Sequence, residues 1–397
     1  MPFQPYRRLL ALPSVPSSML LMFFARLPIT AMGITLTLHV VTDLGRGYGE
    51  AGLVGTATTA GSALGAPLIG RAIDRYGLRP VVAVCGVVSA GYFLATPHLP
   101  YLALVLVALP AGLLAVPAGS IARQVLAALV PDAQRRTAYS LDTVAVEVTF
   151  MVGPSLGILI STQFSSTAAL TSIGVLSGVV AVLLYLMNPP VRADHEVVTG
   201  ERPPLRSWLS RELVATLLIA AAATFVLVGM ELAALASLRE NGEVDWTGVV
   251  IALMCVASLV GGIVHGAVHR SLSQVTLMVL LAVLTIPVGL VDTPWWLLAL
   301  VLVPSNLVCA PTLAATTEAV SSLAPARVRG EAMGLQDSAT RIGLAAGGPV
   351  VGFVMDHSAP GWGFVASGLG GLALASAGIA LRFRFGARTR VRAPAES

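Results

Sequence analysis

Four ionisable residues stand inside long apolar runs of this sequence: Arg26, Glu147, Glu231 and Arg341. A charge held in hydrocarbon costs at least a few kcal/mol, so each is a candidate for handling a proton, a cation or a charged solute unless a partner neutralises it. Arg26 falls eight residues into its run and Glu147 about nine into its own, from the same side of the membrane. At about 1.5 Å per residue the two reach similar depths. They can form a buried ion pair that fixes packing, or a pair that opens to exchange a proton or an anionic substrate; buried pairs are poor stabilisers, which leaves both readings standing. Arg341 has Asp337 four residues earlier on the same helical face and can pair with it. Glu231 has no charged residue three or four positions away. It reads as a proton or cation site, against the alternative of a protonated glutamate hydrogen-bonded among helices. Asn306 lies between Pro304 and Pro311, where proline frees a carbonyl of the preceding turn; its amide can face a cavity, or the region can be a plain kink.

Other chemistries are excluded by residue type. The 24 basic residues are all arginine. Without lysine there is no Walker A phosphate loop and no Schiff base. Cys85, Cys255 and Cys309 lie singly in apolar segments and the six histidines never cluster at ligand spacing, so no metal site and no cofactor are expected and these residues read as core filling. No nucleophile, base and orienting group share a recognisable spacing, which argues against an enzyme. The net charge of +4 is scattered between apolar runs, without the aromatic-interleaved basic patch that nucleic acid requires.

The elements that must position these residues are membrane spans. The chain has 397 residues, 56% hydrophobic and 11% charged, with a mean hydropathy of +0.84. That is less than half the charge of an ordinary soluble domain. Twelve segments of about 20 apolar residues qualify as spans, beginning near Ser18, Ala51, Pro80, Tyr101, Ala138, Thr167, Glu212, Trp246, Ser273, Pro294, Ala332 and Gly361. Arg7-Arg8 precede a run that continues to about Val41, too long for a signal peptide and read as the first span. The predicted architecture is an all-α membrane protein: a six-helix bundle over 1–187, a polar, proline-rich cytoplasmic linker over 188–211, a second bundle over 212–385 and a basic tail over 386–397.

Charge orients it. With the N-terminus inside, the cytoplasmic side holds Arg7, Arg8, the cluster Arg71, Arg75 and Arg79, Arg123, Arg135, Arg136, four linker arginines, Arg270, Arg327, Arg329 and the five arginines from Arg382 onward. Only Arg46 and Arg239 fall in outer loops. The positive-inside rule therefore places both termini in the cytoplasm, and Trp208, Trp246, Trp295, Trp296 and Trp362 fall at span ends as an aromatic belt. The expected location is the cell membrane, multi-pass.

The sequence also repeats. A shift of 196 matches Gly52, Ser62, Gly65 and Gly70 with Gly248, Ser258, Gly261 and Gly266; a shift of 195 matches Asp142, Gly153, Pro154 and Gly157 with Asp337, Gly348, Pro349 and Gly352. Six spans per half make the halves parallel, related by an axis along the membrane normal, as in transporters that rock around a central site. Gly61-x3-Gly65, Gly153-x3-Gly157 and Gly348-x3-Gly352 read as close helix contacts.

The stretch "GRAIDRYGLRP" between spans 2 and 3 resembles the loop signature of the major facilitator superfamily, with Gly70, Asp74, Arg75, Gly77 and Arg79 matching and Leu78 in place of a basic residue. "VEVTFMVGPSLG" in span 5 resembles that family's antiporter motif at Gly153, Pro154 and Gly157, with Thr149 where its first glycine falls. The second copy of the loop, "GAVHRSLS", keeps Gly266 and Arg270 but lacks the aspartate, and span 4 has no arginine before Arg123. The resemblance, to twelve-span drug and sugar efflux permeases, implies a secondary transporter working by alternating access, exporting a small organic molecule against proton entry as a monomer in the bilayer. It implies that span 7, with Glu231, and span 10, with Asn306, line a central cavity. It also implies that Asp74 faces the inner end of span 11 and ties the halves together. Uptake or uniport of a small solute, or a non-transporting membrane sensor or partner, are the alternatives.

Overall fold

The computed structural model describes residues 4–193, 203–268, 271–291 and 294–383, and every regular element among them is helical. Among the described residues ten helices are long and apolar enough to cross a membrane, from Val15–Asp43 to Pro360–Leu381. The other two expected spans are also helices. Tyr48–Tyr76 is long but diluted by glycine, threonine and four charges, and Gln274–Leu290 is apolar but short. Arg270, residues 194–202 of the expected linker and the tail over 386–397 lie outside the described residues.

Local chemistry sets the helix ends. Ser165, Ser210 and Ser273 each accept a hydrogen bond from the backbone N–H three residues on, at 3.0, 3.2 and 3.1 Å, satisfying donors that a helix start leaves open. Expected span 4 is interrupted: it runs as Tyr101–Leu113, stops, and resumes as Ala118–Leu129 after Pro117, which has no N–H to carry the ladder across. Gly77 joins Tyr48–Tyr76 to Leu78–Ala95 at φ +82°, a conformation side chains other than glycine rarely adopt.

The chain forms two compact units, residues 1–200 with 326–338 and residues 201–325 with 339–397. The expected halves assigned 326–338 to the second bundle. It packs in the first because Gly334 abuts Ala66 and Pro67, and Ser338 Oγ donates to the Ala63 carbonyl.

Helix pairings recur from unit to unit. In the first, Val15–Leu38 packs on Arg135–Gln163, Tyr48–Tyr76 on Tyr101–Leu113, and Leu78–Ala95 on Ser166–Met187. In the second, Thr247–Ala267 packs on Trp295–Leu323 and Gln274–Thr285 on Pro360–Phe383, while Arg211–Glu240 meets Gly343 of Arg329–Asp356 at the Ala221 carbonyl. Two of these pairs repeat the first unit's at the repeat offset, and the third does so at its glycine contacts, although Arg211–Glu240 packs most extensively on Pro360–Phe383. Gly65 and its repeat partner Gly261 even serve alike: a Cβ on either would overlap a backbone carbonyl, of Leu113 or Leu307. The pattern is not complete. Gly153 and Gly157 press against Thr30 and Thr35, but Gly348 has nothing within 4 Å and Gly352 only a Leu232 methyl at 3.9 Å, because Gly343 and Gly347 make the close approach in that helix.

Leu290, Phe164, Val87 and Leu102 each expose more than two thirds of their surface, among many exposed large apolar side chains, a surface that suits hydrocarbon. Trp246 and Trp295 stack 4.2 Å apart at the ends of their helices, and Trp296 and Trp362 are exposed. Trp208 differs from a belt residue in being buried. The histidines are not plain core filling either: buried His39 pairs with Asp43 at 2.8 Å, buried His265 meets Ser271 Oγ at 2.7 Å, and His357 is exposed.

Candidate functional site

Two arrangements of charge stand out in the first unit. The first is the corner at residues 70–80. Gly70 and Gly330 lie so close that a Cβ on Gly70 would overlap the Gly330 carbonyl. That approach brings Asp74 to the start of Arg329–Asp356, where its Oδ1 accepts from the Gly330 N–H at 3.1 Å and its Oδ2 from the Glu331 N–H at 2.9 Å. A helix N-terminus offers such unsatisfied donors and the positive end of the dipole. Arg192 donates to the Asp74 carbonyl, and its guanidinium lies 3.9 Å from the carboxylate. Burial pushes the Asp74 carboxyl up to about 7, against the pull of the two backbone bonds and Arg192. Arg79 Nε donates to the Tyr185 carbonyl at 3.1 Å with its guanidinium over the Tyr185 ring, and Arg75 lies over Tyr76.

The second is a buried cluster. Arg26 Nη2 lies 2.8 Å from Asp142 Oδ1 and 3.0 Å from Oδ2, both residues 5% exposed. Arg123 is half-buried nearby, its favourable charge interactions coming first from Asp337 and then from Asp142. Arg26 Nε and Arg123 Nη1 are buried with no hydrogen-bond partner among the described residues. The expected partner of Arg26 was Glu147. Depth alone suggested that choice, but five residues along a helix is also a turn of about 140°, and Asp142 is the acid that faces Arg26 while Glu147 stands half-buried. Asp142 and Asp337 are repeat partners, so the internal repeat carried a signal for this cluster. Arg192 had none.

In the second unit, Glu231 and Arg341 are both half-buried. Contacts of Gly343 with Ala221 and of Gly229 with Val351 fix the register of their helices, which sets Glu231 about 18 Å further along than Arg341. Asn306 is 2% exposed, with Nδ2 donating to the Leu302 carbonyl at 2.9 Å and lying 3.7 Å from Met230 Sδ. Ser305 Oγ donates to the same sulfur at 3.3 Å. Asn306 thus binds the turn around Pro304 to the neighbouring helix; this favours the kink reading over a group facing a cavity. Pro304 and Pro311 both sit within the unbroken helix Trp295–Leu323. Gly153 and Gly157 flank Pro154 on the face of Arg135–Gln163 that packs on Val15–Leu38. Among the described residues no group of acids, histidines and cysteines could hold a metal.

The family model for the Major Facilitator Superfamily matches residues 18–291. Among solved structures, a bacterial homologue of the iron transporter ferroportin in its outward-facing state is similar over 94% of this chain and all of its own, with TM-score 0.73 and 15% identity. The human organic anion transporter MFSD10 (TETRAN) has TM-score 0.71 at 18% identity over 93% of this chain and 98% of its own. The proton:xylose symporter XylE has TM-score 0.71 at 15% identity over 93% and 95%. At such identities the likeness concerns the fold. No curated protein matches the chain in sequence.

Proposed function

Because the chain belongs to the major facilitator superfamily, a family of transporters, we propose that it is a secondary active transporter that exports a small organic molecule by alternating access, coupled to proton entry. The observation that carries this reading is the Arg26–Asp142 pair, 5% exposed and beside Arg123. A carboxylate held by arginine in a buried place can take up a proton when the pair opens, and protonation releases the arginine donors for an anionic or polar group. Cargo in similar folds ranges over an organic anion, xylose and iron, so the fold leaves the substrate to the site. Two neighbouring arginines, each with a buried donor that lacks a partner among the described residues, favour one that carries negative charge.

Within this reading Asp142 and Arg26 couple the proton, while Glu231, Glu147, Arg341 and Asn306 belong to the transport path or its supports. Asp74, with Gly70, Arg75, Gly77 and Arg79, forms a gating corner that must release Gly330 and Glu331 during the cycle. Export is favoured by the Gly153-Pro154-x2-Gly157 sequence. Twelve spans, with both termini cytoplasmic in the cell membrane, and a working monomer complete the proposal.

An untargeted comparison of extracellular metabolites with and without the gene supplies the cargo for the test. In proteoliposomes, an imposed proton gradient should then accelerate flux of that cargo. Asp142→Asn should keep cargo exchange and lose the response to the gradient. Flux indifferent to the gradient in the unaltered protein rules out proton antiport.

A further inference from the structure

An apolar groove of about 350 Å³ opens on the surface of the first unit, between Tyr48–Tyr76, Leu78–Ala95 and the end of Tyr101–Leu113. Buried Ile69 and Cys85 contribute to its lining, exposed Leu68, Tyr76 and Val84 form its rim, and Leu113 stands where its helix stops. Such a surface offers a polar solute almost nothing to bond. It suits a hydrocarbon chain.

The charge beside it is specific. Leu68, Ala72 and Tyr76 recur every four residues, and Arg71 and Arg75 fall three and seven after Leu68, so all five share one helical face. Both arginines are exposed. The Arg75 guanidinium lies 5.1 Å from the centre of the Tyr76 ring, which places a cation directly at the groove's rim. Arg79 is committed elsewhere, to Tyr185. From Leu68 to Arg75 the helix rises about 10 Å, the kind of separation that lies between the upper acyl chain and the headgroup of a lipid. Arginine's planar fork matches phosphate oxygens, and basic residues at a membrane surface attract anionic lipid.

We propose that this groove holds an acyl chain of an anionic phospholipid whose phosphate is bound by Arg71 and Arg75. The site selects by charge at its mouth and by hydrocarbon along its floor; it stands apart from the buried cluster and shares only Arg75 with the proposed gating corner. It requires only that the chain sit in a bilayer.

Native mass spectrometry of the full chain, released from detergent with equimolar phosphatidylglycerol and phosphatidylcholine of identical acyl chains, tests it. The expected result is retention of phosphatidylglycerol several-fold over phosphatidylcholine. Arg71→Gln with Arg75→Gln should abolish that preference, and the double lysine variant should recover most of it. Val84→Trp, which fills the groove from an exposed position, should weaken phosphatidylglycerol retention several-fold with both arginines intact. Equal retention of the two lipids by the unaltered protein, or a preference that survives both the double glutamine variant and Val84→Trp, overturns the site.

Discussion

Asp74 shows how one side chain links pH to the state of a corner. Its carboxyl rises from an ordinary 3.8 to about 7, with burial the largest cause. The folded corner therefore holds a proton where the unfolded chain has released it. By linkage, that contribution is fully present below about pH 4 and is lost as pH rises through 7. Asp74→Asn stays neutral at every pH and keeps one acceptor for the Gly330 or Glu331 N–H. The slope of melting temperature between pH 4 and 7, followed by tryptophan fluorescence, should flatten in this variant; an unchanged slope means the carboxylate ionises in place at no cost. Asp74, Gly70 and Gly77 were legible as residues because the loop signature names them, and the structure supplies a reason for each. Arg192 was not, since nothing local marks an arginine that reaches back 118 positions to the Asp74 carbonyl. Asp142 was passed over in favour of Glu147 for a geometric reason: counting residues from a span end gives depth but not direction, and a buried arginine chooses the acid that faces it.

Helices in this protein are spaced by where glycine removes a side chain. Gly65 and Gly261 sit against the Leu113 and Leu307 carbonyls, and backbone cannot move aside as a flexible side chain can. Gly65→Ala and Gly261→Ala should each destabilise the protein, by about 1–3 kcal/mol as overpacking does, whereas Gly348→Ala, with nothing within 4 Å, should be near neutral. Thermal unfolding of the three variants checks the contrast, and equal losses at Gly348 and Gly65 would remove packing as the explanation. The apolar runs marked the helices and, to within about three residues, where they begin, because hydrophobicity is a local property; the serine caps were not read from the sequence. The assignment of 326–338 to the first unit depends on tertiary contacts, so a reading of runs and spacings passed over it; the same reading passed over the break at 114–117, because it counted apolar residues and gave Pro117 no weight. Glycine spacing alone likewise could not tell Gly153, which packs, from Gly348, which does not.

For the molecule as a whole, the recurring pairs argue for an even number of crossings in each half. Tyr48–Tyr76 pairs with Tyr101–Leu113 as Thr247–Ala267 pairs with Trp295–Leu323. Thr247–Ala267 belongs to a helix apolar enough to cross a membrane, Val244–Ala267. If the halves are repeats, Tyr48–Tyr76 must cross too, despite its charges and glycines. The same comparison makes short Gln274–Leu290 the counterpart of Leu78–His98, which is long enough to cross. A background with Cys85, Cys255 and Cys309 replaced by serine allows single cysteines to be placed at Arg46, Tyr76, Pro100 and Pro131 and offered to a membrane-impermeant maleimide in intact cells. Arg46 and Pro100 should label from outside, and Tyr76 and Pro131 only after the membrane is opened. Labelling of Arg46 and Tyr76 from one side would mean that Tyr48–Tyr76 does not cross. The first half would then hold five crossings, its partner would insert in the opposite sense, and the two halves could not be parallel copies.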